Sequence, residues 1–322
     1  MDELETRAMR HMYQTDLSSF LDLAIRVLHP GVTHRLHWST RVLGEALSAC
    51  SQGATKRLII NMPPRTLKSI CASVAFPAWV LAVRPETKIF CISGHRGLAD
   101  DHHALAVNLM SDPRYRALFP HVRFGATASK ISLPHGGFRS AFTPTGAITG
   151  RGADLIIIDD PQDAHNADDP QDNAAIGRWY DRNIYQRLDL KAHGVVILVM
   201  QRLAQDDLTA HLLSRGDWEH LSLPAIAVED ERFPKVFGDQ VIRRKGEALD
   251  PTREDQSQLR EALMRMGARA FMAQYQQDPA ADEQDRQPNQ PGVDQGVTRR
   301  FGAQRGHART PTKTVGKAVS CV

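Results

Sequence analysis

The distribution of apolar positions changes character near residue 56. Before it, Phe20, Leu21, Ala24, Ile25 and Leu28 recur at helical spacing, with Ser18 and Ser19 as caps and Pro30-Gly31 as the stop. Leu36, Leu43, Leu47 and Cys50 form a second helical stripe that ends at Gly53. Segment 1–55 therefore reads as a helical lead. From residue 56 onward, short apolar runs alternate with helical stretches. Arg57–Asn61, Lys88–Ser93, 154–158, Val195–Met200 and 219–223 are rich in β-branched residues and apolar almost throughout, the pattern of strands covered on both faces. Helices are predicted over 70–81, 98–110, 174–188 and 206–213. A hairpin interrupts the series at "ISLPHGGFRSAFTP", with His135-Gly136-Gly137 as its turn. Such alternation predicts an α/β core over 56–224, a mostly parallel sheet flanked by helices. Segment 225–278 is charged and helix-leaning, with Leu259, Leu263 and Met266 on one face, and reads as a lid or linker. Past Asp278 the chain holds one aromatic, Phe301, and neither Leu nor Ile. It cannot bury enough apolar surface to offset its ordering entropy, so segment 279–322 is expected to be a disordered tail.

Composition narrows the class without naming it. Of 322 residues, 42% are hydrophobic and 24% charged, ordinary values for a soluble globular chain. No apolar run approaches the roughly 18 residues of a membrane span, and the opening "MDELETRAMR" is no signal peptide. Cys50, Cys71, Cys91 and Cys321 are scattered, with no C-x-x-C pair. They read as reduced cysteines of a cytoplasmic protein rather than as a disulfide or zinc framework. A formal charge of +3 and a pI near 8.7 permit contact with nucleic acid but do not argue for it.

In parallel sheets ligands bind at the carboxyl ends of the strands, which directs attention to three strand exits. The first is "IINMPPRTLKSI". It has the order of a phosphate-binding loop: strand, turn, Lys68-Ser69, then a helix whose N-terminus favours anions. Met62 and Leu67 stand where that loop has glycines, and Pro63 and Pro64 supply no N–H donors. Taken alone, the stretch also fits an ordinary strand-turn-helix. The second is "GADLIIIDDPQD", whose strand delivers Asp159 and Asp160 to the sheet edge. Two carboxylates there can hold a hydrated Mg2+ and position a water, or simply shape a turn. The third is "VVILVMQRL", ending in Gln201-Arg202. Those polar groups fit a γ-phosphate sensor and a solvated strand exit equally well. "DDHHALA", by contrast, is expected to be a solvated helix start, because adjacent His102 and His103 point to different helix faces. His34 and His37 are read likewise, and Arg299-Arg300 as part of a solvated end.

Together, "IINMPPRTLKS", "ITGRGADLIIIDDP", "VMQRLAQDDLTAHLL", "WEHLSLPAIA" and "FMAQYQQDP" resemble the large terminase subunit of tailed phages, in order and spacing from about Leu36 to Asp278. The resemblance implies a P-loop NTPase-type fold and the ATP-driven motor that packages double-stranded DNA into a prohead, with ATP and Mg2+ as cofactors. It makes Lys68 and Ser69 the Walker A pair, within a nucleotide-binding stretch Pro64, Arg65, Thr66, Leu67, Lys68, Ser69 and Ile70. Asp159 becomes, with Ser69, the metal-associated residue, Asp160 the catalytic carboxylate, and Gln201-Arg202 the coupling motif. Arg65, Arg139 and Arg151 are alternatives for an arginine finger. The implied partners are a terminase small subunit, a portal protein and further copies in a ring, in the host cytoplasm and not on a membrane. Leu67 replaces the usual glycine, and Asp160 is a methylene shorter than the common Glu. A 1 Å misplacement can cost on the order of 100-fold in rate, so ATP binding is expected and fast turnover is not. The acidic residues past Asp278 follow no apolar run, so no RNase H-type nuclease domain or endonuclease activity is expected. The alternatives are a helicase-type P-loop ATPase and an inactive, truncated prophage remnant.

Overall fold

Among the described residues, three helices precede the first strand: α1 (Glu3–Thr15), α2 (Leu17–Leu28) and α3 (Trp38–Ser51). The computed structural model describes residues 3–31, 37–146, 150–166, 169–236 and 239–279. The predicted tail beyond Pro279, together with His34 and Leu36, lies outside the described residues. α2 is capped by Asp16, whose carboxylate accepts from the amides of Ser18 (3.2 Å) and Ser19 (2.9 Å). Ser18 and Ser19, expected as caps, are instead buried inside the first turn. An acidic side chain satisfies the free amides and complements the helix dipole at once, which a serine does not.

β1 (Arg57–Asn61) leads through the loop at 62–67 into a helix that starts as a wide π-type segment, Ile70–Ala75, and continues as α4 (Phe76–Val83). Then follow β2 (Lys88–Ser93), α5 (Arg96–Ser111), α6 (Pro113–Leu118), β3 (Gly125–Ala126), β4 (Lys130–Ser132) and β5 (Phe138–Phe142). β6 (Leu155–Asp159), α7 (Pro170–Asn183), β7 (Val195–Met200), α8 (Leu208–Leu213) and β8 (Glu219–Ser222) complete the layered part. The sheet has eight strands in the order β3-β4-β5-β2-β6-β7-β1-β8. β5, β2, β6, β7, β1 and β8 run parallel; β4 and β5 form the predicted hairpin across the turn at 135–137, and β3, not predicted, adds an antiparallel strand to β4 at the edge. The fold is thus the mixed α/β class with a mostly parallel sheet. Alternate strand residues feed two cores. Leu58, Ile60, Ile157 and Ile197 pack under the N-terminal helices, α4 and α5, whereas Ile59, Ile156, Ile158 and Leu198 pack with Ile176 and Tyr180 of α7 and Leu208 of α8.

The predicted strand over 154–158 runs one residue further, so Asp159 is its last member, paired with Ser93 and Val199. The helix expected over 174–188 starts earlier, at Pro170 behind the Asp169 cap, and ends at Asn183, with a separate 3-10 turn at Tyr185–Arg187. Segment 225–278 contains more than helix. β9 (Glu231–Val236) and β10 (Asp239–Arg243) form a separate antiparallel pair before α9 (Gln256–Met266) and α10 (Ala268–Gln274). Charged residues at many of its positions hid this pair from an apolar-run criterion. No helix among the described residues is long and apolar enough to cross a membrane.

Candidate functional site

β1, β6 and β7 bring the three strand exits to one edge, with β7 between the other two. Asn61, fully buried at the end of β1, donates to the Met200 carbonyl (3.0 Å) and to Thr209 Oγ1 (3.1 Å), and its Oδ1 pairs with His220 Nε2 (2.7 Å). This residue fixes the level at which the loop leaves the sheet. The loop backbone takes a glycine-type shape without the glycines. Arg65 and Leu67 both have positive φ, 61° and 65°. Left-handed residues interleaved in a turn aim successive amides at one point and form an anion-binding concavity. Among the described residues, the amides of Leu67, Lys68 and Ser69 find no backbone or side-chain acceptor. Thr66 is occupied with the loop itself, its hydroxyl donating to the Pro63 carbonyl at 2.8 Å. Ile70 turns to the core, Pro64 is half-buried and Arg65 is exposed at the mouth.

Lys68 is buried (4% exposed) and crosses to the two neighbouring strand ends. Its Nζ donates to Gln201 Oε1 at 3.2 Å and lies 3.6 Å from Asp160 Oδ2. Ser69 Oγ donates to Asp159 Oδ1 at 2.9 Å. Asp159 is fully buried, and its Oδ2 accepts no hydrogen bond, with His102 Nδ1 3.6 Å away. Burial pushes its pKa up, opposed by Ser73, Lys68, Ser69 and Arg139. The Ser73 hydroxyl favours the carboxylate by its dipole without completing a hydrogen bond. Asp160 is likewise raised by burial, Lys68 lowering and Asp159 raising it, although 28% of its side chain is exposed at the edge. Its φ is 42°, and a Cβ on Gly94 of the next strand exit would come within 2.3 Å of its carbonyl oxygen. Only glycine at position 94 lets the two strand exits approach this closely.

The remaining predicted residues divide. Gln201 belongs to the cluster. Arg202 does not enter it: its guanidinium is bound to buried Asp207 (Nε to Oδ2 2.8 Å) and its amide donates to Gln277 Oε1 at 3.0 Å. Of the arginine-finger alternatives, Arg139 is 1% exposed inside the core, so it cannot reach a ligand at the edge. Arg151 is exposed. His102 and His103, expected in solvent, are 5% and 4% exposed. Their different helix faces are both covered: His102 lies against Ser93 and Asp159, and His103 Nε2 meets the Thr127 carbonyl at 2.8 Å. His37 also has a fixed role, its Nδ1 accepting from the Ser39 amide as the cap of α3.

Oxygen donors alone, a hydroxyl and a carboxylate, suit Mg2+. Among the described residues no three His, Cys, Asp or Glu side chains cluster for a metal. The orphan Oδ2 of Asp159 and the free loop amides likewise fit a magnesium-bound polyphosphate.

No family model matches the chain. No curated protein matches it. Among solved structures, the HK97 bacteriophage large terminase is similar, at a TM-score of 0.43 and 17% identity over 66% of this chain and 44% of that one. The likeness thus spans less than half the length of that chain.

Proposed function

We propose that the chain is a Mg2+-dependent ATPase module. The observation that carries this reading is the Ser69–Asp159 hydrogen bond (2.9 Å) set beside buried Lys68 and under a loop with two left-handed residues. A buried lysine beside two strand-end carboxylates whose pKa values burial raises is the kind of cluster that marks a ligand site. In this reading the amides of 67–69 and Lys68 Nζ hold the phosphates, giving up the contacts to Gln201 and Asp160. Ser69 Oγ and Asp159 hold the ion. The Mg2+ that Ser69 and Asp159 would hold would supply positive charge against that developing on the phosphate. Asp160 orients the attacking water and takes its proton, a role its raised pKa suits better than an ordinary aspartate would. Gln201, released by Lys68, faces the terminal phosphate.

The stretches that resemble the large terminase subunit favour a DNA-packaging motor as the setting, with double-stranded DNA as track. A portal, a small subunit and a ring of copies belong to the same proposal. The test is phosphate release from ATP by the purified chain with Mg2+, with and without DNA. Wild type should hydrolyse ATP, faster with DNA, and Lys68→Ala should lose at least 100-fold, on the order of the electrostatic contribution of one such group. Hydrolysis unaltered in Lys68→Ala, or no ATP binding by wild type, would refute the site.

A further inference from the structure

We propose that Gln277 is a positioning residue that ties the C-terminal helical segment to the state of Lys68. The inference rests on Lys68 being the phosphate-holding residue. Two adjacent residues at the end of β7 face opposite ways. Gln201 Oε1 accepts from Lys68 Nζ (3.2 Å), and the next amide, Arg202 N–H, donates to Gln277 Oε1 (3.0 Å). The Arg202 guanidinium is committed to Asp207, so the peptide group between residues 201 and 202 is the link from β7 to Gln277. Gln277 spends its other end on α10, Nε2 donating to the Gln274 carbonyl at 2.5 Å. One side chain therefore joins the strand end to the last turn of a helix.

Its surroundings hold it there. Gln277 is 7% exposed and has a φ of 58°. A non-glycine residue persists in that conformation only where neighbours over-determine it. The residues before it are fastened as well. Gln276 clamps Ile226 at both backbone atoms (2.8 and 3.0 Å), and the Ala225 amide donates to the Tyr275 carbonyl at 2.7 Å. Residues 275–277 thus grip the chain just past β8, and the side chain of Gln277 reaches the phosphate-loop cluster through the 201–202 peptide. When Lys68 leaves Gln201 for a phosphate, that peptide loses its restraint on the loop side. Its hold on Gln277 and α10 changes with it.

Amide hydrogen exchange of peptide 268–277 tests this, using ATPγS with Mg2+ as the probe. In wild type the nucleotide should change exchange there several-fold. Gln277→Met, isosteric but without an acceptor, should bind the nucleotide with unchanged affinity and lose the change. Gln277→Glu keeps the acceptor for the Arg202 amide but has no donor for the Gln274 carbonyl, so it too should lose the change, which a purely packing role does not predict. A Gln277→Met chain that responds as wild type does overturns the proposal. If Gln277→Met does not fold, Gln201→Ala breaks the same link at the Lys68 side and must silence the response equally. Should wild type bind no nucleotide, the ATPase reading fails, and the nucleotide-free Lys68→Met chain decides the link by itself. It must alter exchange in 268–277 in the wild-type background and not beside Gln277→Met; no alteration overturns the link.

Discussion

Leu67 shows how a motif can be absent from the residue list and present in the backbone. Among the described residues four non-glycines have positive φ, and Arg65, Leu67 and Asp160 are three of them, all at one sheet edge. The loop takes the glycine-type shape without the glycines, so a search by residue identity sees only Lys68-Ser69. A left-handed conformation costs an L-residue roughly 1–2 kcal/mol, and Leu67 offsets part of that by packing its half-buried side chain against the core. Leu67→Ala keeps the strain and loses the packing; Leu67→Gly loses both. Gly should therefore be more stable than Ala here by about 1 kcal/mol, the reverse of the order in a helix. Urea denaturation of the two variants checks this, and an Ala chain more stable than the Gly chain would show the loop relaxed out of the left-handed region.

At the scale of elements, the helix after the loop and the strand β5 are joined by a buried cation. Pro77 has no N–H to offer the carbonyl of Ser73, four residues back, and that carbonyl accepts from Arg139 Nη2 at 2.9 Å. Arg139 Nη1 in turn meets His103 Nδ1 at 3.4 Å, while His103 Nε2 holds the Thr127 carbonyl. The Arg139 contact requires neutral His103, and burial lowers its pKa against the opposing Thr127 hydrogen bond, as burial lowers that of His102 to about 4. For His102, burial is the largest cause; Arg139 and His95 lower it further, and Asp160 and Asp101 oppose. A histidine with a depressed folded pKa leaves the unfolded chain binding more protons, so its stabilisation is complete above pH 6.5 and is lost as pH falls toward 4. For His102 the loss is on the order of 2 kcal/mol at pH 5. His102→Asn should narrow its Tm gap to wild type between pH 7.5 and pH 5, and a gap independent of pH would mean that His102 is not buried neutral. Why the strands were legible and this network was not is a matter of surface. β1, β6 and β7 are apolar runs, whereas His102-His103 lie in a polar stretch. A 100° turn between neighbours seemed to force one of them into water. α5 is covered over a wider arc than a single face, by β2 and β5, by α2 and the π-type segment, and at His103 by the Thr127 carbonyl.

On the scale of the molecule, the helical lead and the hairpin of the C-terminal segment close on each other. Trp38 packs on Phe233 with ring centroids 4.8 Å apart, and Arg243 lies 5.9 Å from the Trp38 ring while donating to the Pro224 and Ala225 carbonyls. Such long-range pairings leave no local pattern, so the strands β9 and β10 escaped the sequence. The candidate site sits at the carboxyl edge of β1, β6 and β7, and its charges weaken the empty fold. Burial raises the pKa values of Asp159 and Asp160, so the folded chain binds more protons than the unfolded one from pH 3.8 up to those raised values. Rising pH through that window costs stability, and the cost persists above it. A divalent cation bound at Asp159 removes that cost and adds its own binding energy. At a nucleotide concentration of about 100 Kd, linkage alone contributes roughly 2.7 kcal/mol, or a rise of about 5–10 °C in Tm at 2–4 °C per kcal/mol. Asp159→Asn keeps the acceptor for Ser69 and removes the buried charge. It should melt above wild type without ligand and show no rise with ATPγS and Mg2+, while wild type shows the full rise. Thermal unfolding of the two chains at pH 7.5, each with and without nucleotide and Mg2+, gives the four values. A wild-type chain already the more stable without ligand would place Asp159 among structural ion partners, and an equal rise in both chains would move the metal elsewhere.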